Sequence, residues 1–70
     1  DKMTTLSSQL NDIVKFSNDV LLILVEAKIL DIKDFADLSG DELSELISID
    51  LETANTLIIK ARELVGYFDN

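Results

Sequence analysis

Cysteine and histidine are both absent from this chain. Without them there are no disulfides, thiolate nucleophiles, imidazole bases or ordinary structural zinc sites, which closes three of the commonest routes to enzyme chemistry. Proline is absent too, so no pyrrolidine ring compels a helix to end. Long apolar runs are also missing. The longest near-continuous one, Val20 to Val25, falls far short of the roughly 20 residues needed to cross a bilayer, and no basic n-region or small-residue cleavage site goes with it. Positive charge is scarce: 6 Lys and Arg stand against 14 Asp and Glu, a formal net charge of −8. The expectation is a soluble, cytoplasmic protein with no membrane contact and no cofactor.

What the chain does have points to helices. Its 70 residues are 47% hydrophobic, too apolar for a disordered tail and enough for one small domain with a modest core, though with little room for a buried catalytic cleft. Leu, Ile, Asp, Glu, Ser and Ala dominate, a composition that favours helix. The start at Asp1-Lys2-Met3 suggests a piece cut from a longer chain, with the N-terminal residues as linker.

Leu6, Leu10, Ile13 and Val14 recur at helical spacing, so Thr5 to Lys15 is expected as an amphipathic first helix. A second helix, capped by Ser17 or Asn18, is expected from Asp19 to about Lys28; it is apolar on most sides and therefore central. Asp31 can cap a short helix through Ile32, Phe35, Ala36 and Leu38. Ser39 with Glu42 three residues on forms a capping box that opens another short helix through Leu43, Leu46 and Ile47. Ser48-Ile49-Asp50 breaks the pattern, with Asp50 as the next cap, and Ala54, Leu57, Ile58, Ala61, Val65 and Phe68 then mark one stripe of a last, longer helix. Lys60 and Arg62 lie in its later half, where the helix dipole favours cations. The fold expected is all-α, a compact five-helix bundle with Leu21, Leu24, Phe35, Leu43, Leu46, Leu57, Ile58 and Ala61 in its core.

The acids are not evenly spread. Asp31, Asp34, Asp37, Asp41, Glu42, Glu45, Asp50 and Glu52 face a single base, Lys33, in that stretch. Such a field repels phosphate backbones and attracts basic surfaces, although an acidic run is ordinarily just the solvated face of short helices. It makes no EF-hand: from Asp31, the third loop position is Lys33 and the sixth, where glycine belongs, is Ala36. Paired-carboxylate glycosidase chemistry lacks a sugar-binding cleft or an aromatic platform, and Phe16, Phe35, Tyr67 and Phe68 are better read as packing residues. An acyl or peptidyl carrier, the alternative for a small acidic helical chain, needs a serine in an Asp-Ser-Leu context; here the order is Asp37-Leu38-Ser39-Gly40, and Ser39 is a helix cap.

Leu24-Val25-Glu26-Ala27-Lys28-Ile29, then Ile32-Lys33-Asp34-Phe35-Ala36-Asp37-Leu38, then Asp41-Glu42-Leu43-Ser44-Glu45-Leu46, then the helix from Ala54 to Phe68 with Ala61-Arg62 and the Tyr67-Phe68 pair, follow a definite order. That order resembles the helix-hairpin-helix repeats of DNA repair proteins and, in wording, the C-terminal acidic repeats of the NusA transcription factors. The likeness runs from about Ser17 to Asn70, leaving residues 1–16 as linker and first helix. It departs from a DNA-binding hairpin at Ile47-Ser48-Ile49-Asp50, where serine stands in place of the glycine that lets amides approach a phosphate. The resemblance implies the last repeat of a bacterial transcription termination and antitermination factor: not an enzyme, monomeric, without direct nucleic-acid binding. Its implied partners are the C-terminal domain of the RNA polymerase α subunit, a phage antitermination protein, or the factor's own RNA-binding domains. Charge clustering puts the docking face at Asp41, Glu42, Glu45, Asp50 and Glu52.

Overall fold

Four of the helices start where a short polar side chain can take a free backbone amide. A computed structural model describes residues 2–66 and places five helices there: α1 (Lys2–Leu10), α2 (Asn18–Glu26), α3 (Ile32–Ala36), α4 (Gly40–Ile47) and α5 (Leu51–Leu64), with no strand among the described residues. Ser17 Oγ accepts the Val20 N–H, Asp31 Oδ1 that of Asp34, Ser39 Oγ that of Glu42, and Asp50 Oδ2 that of Thr53. The capping box is complete, since Glu42 Oε1 takes the Ser39 N–H at 3.3 Å in return. Asp34 makes a similar return contact, accepting the Leu30 N–H at 3.1 Å. Caps of this kind stabilise a helix by about 1 kcal/mol each.

Two of the helix ends rest on left-handed residues that are not glycine. At the end of α2, the Ile29 N–H reaches the Leu24 carbonyl and the Lys28 N–H reaches that of Val25, each at 2.9 Å. This is the Schellman pattern, with Lys28 at φ 68°. At the end of α4, Ser48 lies at φ 57° and ψ 52°, and its N–H and that of Ile49 both go to the Ser44 carbonyl. Ser44 Oγ also donates to the Ile49 carbonyl at 2.7 Å, so one serine holds both sides of the turn. The position where a hairpin glycine was expected does take the conformation glycine favours, with a side chain on it.

The first helix differs from expectation. It runs Lys2–Leu10 instead of Thr5 to Lys15, and its end is a turn in which the Ile13 and Val14 amides both meet the Leu10 carbonyl. Asn11 and Asp12, whose side chains compete with helical hydrogen bonding, stand at that turn. The segment expected as linker is therefore helical from Lys2, and Leu6 and Leu10 are fully buried in the same core as the other helices. The second helix stops at Glu26 instead of near Lys28, because the Schellman turn begins there. The third stops at Ala36, short of Leu38. The fifth ends at Leu64, followed by Gly66 at φ 73°; Tyr67 and Phe68 lie outside the described residues.

The core consists of Leu6, Leu10, Leu21, Leu24, Ile29, Phe35, Ala36, Leu43, Ile47, Ala54, Ile58 and Ala61. Two expected members, Leu46 and Leu57, are only half-buried. Each sits at the edge of its helix's apolar stripe and packs against the core instead of within it. Phe35 is fully buried and its ring lies 6.2 Å from that of Phe16, tilted by 48°, a favourable aromatic arrangement.

α5 is the backbone of the assembly: α4 and α3 pack on it, α2 packs on α4, and α1 closes over α2 and α3. Two long-range hydrogen bonds fasten these layers. Arg62 on α5 donates from Nε to the Ala36 carbonyl at 2.8 Å and from an Nη to the Leu38 carbonyl at 3.1 Å, satisfying the end of α3. Gln9 on α1 accepts the Ile32 N–H at 2.7 Å, satisfying its start. Gly40 allows the start of α4 to lie against α5, since a Cβ there would overlap the Asn55 carboxamide.

Candidate acidic docking face

α4 is eight residues long and packs its buried residues, Gly40, Leu43 and Ile47, on the rest of the bundle. Helical spacing sets Asp41, Glu42 and Glu45 toward the other sides, and all three are exposed. Asp41 and Glu45 are one turn apart, as are Glu42 and Glu45.

Beside them is a shallow depression of about 380 Å³ lined by Ala27, Ile29, Leu38, Glu42, Glu45 and Leu46. Its origin is local. The Schellman turn after α2 leaves Ala27 exposed at the rim and turns Ile29 inward as the floor. The irregular step between α3 and α4 supplies Leu38, and α4 supplies Leu46 and both glutamates. The depression is thus apolar at its base and carboxylate at its edge.

The five acids picked out from the sequence separate into two groups. Glu42 and Glu45 line the depression, with Asp41 next to them on the same helix. Asp50 and Glu52, across the Ser48 turn at the start of α5, are exposed but do not line it. Asp50 is committed to its cap: Thr53 Oγ1 donates to Oδ1 at 2.8 Å and the Thr53 N–H to Oδ2 at 3.1 Å. These two bonds, hydroxyl first, hold its carboxyl below the usual carboxylate range. Glu42 is partly committed through the capping box, whereas the carboxylates of Asp41, Glu45 and Glu52 make no hydrogen bond among the described residues; Glu52 serves the fold through its backbone, whose carbonyl accepts the Thr56 hydroxyl at 3.0 Å.

The apolar members of this site were not picked out from the sequence. Ala27, Ile29 and Leu38 read as helix ends, and Leu46 as core; the available signal was that each is apolar beside a predicted turn or cap. Ser39 sits just before Asp41, and its hydroxyl oxygen serves as the α4 cap at 3.1 Å from the Glu42 nitrogen. Among the described residues no group of three carboxylates is arranged to hold a metal ion, and no helix is long and apolar enough to cross a membrane. Comparison with family models, with curated proteins and with solved structures gives no match for this chain.

Proposed function

We propose that the chain is a non-catalytic, cytoplasmic protein-interaction module of a bacterial transcription termination or antitermination factor, an acidic repeat of the helix-hairpin-helix type, that docks a basic protein surface. The observation that carries this is the placement of Glu42 and Glu45 at the mouth of an apolar depression, with Asp41 alongside. Carboxylates of one sign steer a basic partner, and the half-buried Leu38 and Leu46 give it apolar surface to cover. The start of α5 supports the absence of nucleic-acid binding: Asp50 already occupies the amide of Thr53, which a phosphate would need, and repels any approaching anion.

The partner is proposed from the sequence resemblance: the C-terminal domain of the RNA polymerase α subunit first, the factor's own RNA-binding domains second. An NMR titration of the chain with purified α C-terminal domain tests this. Shifts are expected at Ala27 to Ile29 and Leu38 to Leu46. No shifts would remove this partner and leave intramolecular masking, and a tight, salt-sensitive complex with RNA would overturn the interaction-module function.

A further inference from the structure

The depression has an unusual division of labour for so small a surface. Its base is built from Ile29 of the α2 turn, Leu38 before α4 and Leu46 on α4, with Ala27 at the rim, while both charged members are acids and no lysine or arginine among the described residues lines it. At about 380 Å³ it is at the small end of ligand-binding cavities, the scale of one or two side chains. The Glu42 carboxylate is oriented by the Ser39 N–H on Oε1, leaving Oε2 for a partner. Glu45 is one turn away, so the two side chains start roughly 5–6 Å apart at Cβ and lie within reach of adjacent cations.

Resting on the docking function above, we infer that the partner's recognition element is a basic peptide segment with a single aliphatic or aromatic anchor: the anchor seats on Ile29, Leu38 and Leu46, and flanking Lys or Arg side chains face Glu42 and Glu45. Charge complementarity selects this occupant. An acidic or phosphorylated segment would meet two carboxylates and a net charge of −8, and a purely apolar segment would leave both glutamates facing uncharged surface. The anchor supplies affinity through apolar burial; the bases supply orientation and association rate.

The test uses the 70-residue chain and two synthetic nonapeptides, each with two lysines on either side of a central residue, leucine in one and serine in the other, with glycine elsewhere. The leucine peptide is expected to bind about tenfold more tightly, the ratio that burying most of one such side chain provides. Ala27 is exposed at the rim, so Ala27→Phe fills the depression from outside without entering the core. It should abolish the leucine advantage while the melting temperature stays as in the parent, and Ala27→Leu serves as a second, smaller filler. Asp41→Asn with Glu45→Gln should weaken both peptides together and flatten their salt dependence. Equal affinity for the two peptides, or an undiminished leucine advantage in both fillers, overturns the anchor. Because the charge variant is read separately, loss of salt-dependent binding there with no difference between peptides would sink the anchor and leave the acidic docking face standing. Insensitivity of both peptides to the charge variant would sink the docking face itself.

Discussion

Ser48 adopts φ 57°, a region that costs an L-residue about 1–2 kcal/mol. Glycine removes that cost but adds freedom to the unfolded chain, so Ser48→Gly is expected to stabilise by about 0.5–1 kcal/mol, whereas Ser48→Val should destabilise; chemical denaturation of the three proteins gives the order. A parent more stable than Ser48→Gly would mean that the Ser48 side chain makes a contact that outweighs the strain. The caps were legible because their chemistry is local: in each case the donor amide lies three residues after the capping oxygen. Arg62 was not, since the carbonyls it serves lie 24 and 26 residues earlier, and the sequence supplied only its favourable place near a helix end. Its planar fork reaches two carbonyls at once, so Arg62→Lys should not rescue Arg62→Ala. Hydrogen bonds to a charged group contribute about 1.5–3 kcal/mol, and both variants are expected to lose an appreciable part of this, read as a lower denaturant midpoint at unchanged slope.

At the scale of helices, spacing identified each element while its ends depended on contacts that spacing does not contain. For α1 the stripe through Leu6 and Leu10 was read correctly, but Ile13 and Val14 continue that stripe on paper and a turn in the structure, while Met3 extends it the other way and packs on the core. Helix α4 was legible down to its capping box and its exposed acids. The depression was not, because Ile29 and Leu38 come from turns whose direction is set by the Schellman pattern and by Arg62. Burial ranks the core substitutions. Leu43→Ala, at a fully buried site, should cost about 2–5 kcal/mol, and Leu57→Ala, half-buried, distinctly less. Leu6→Ala tests whether α1 belongs to the folding unit: with Leu6 fully buried the loss should be comparable to that at Leu43, whereas a helix that merely rests on the domain would leave the midpoint unmoved.

For the whole molecule the dominant quantity is the charge of −8 carried by a chain of only 70 residues. Excess charge of one sign repels itself within the compact state, and added salt screens that repulsion. On the proposed function, the same ions would weaken the attraction of a basic partner to Asp41, Glu42 and Glu45. Raising the ionic strength should therefore raise the melting temperature and lower partner affinity, two responses of opposite sign from one cause. Acidification separates the general repulsion from the individual caps. As pH falls from 7 toward the isoelectric point near 4.1, carboxylates begin to protonate and the repulsion lessens. Asp50, however, has its carboxyl held below the ordinary aspartate value of 3.8 by the two hydrogen bonds from Thr53. Its contribution is therefore fully present above that value and is lost only as pH falls through the lower, folded one. Stability should hold or rise between pH 7 and about 4.5, then drop on the acid side of 3.8. Asp50→Asn, whose cap does not titrate, should show a smaller acid drop than the parent in melting curves taken across this range. Identical acid limbs for the two proteins would place the loss in other carboxylates and remove Asp50 as its source.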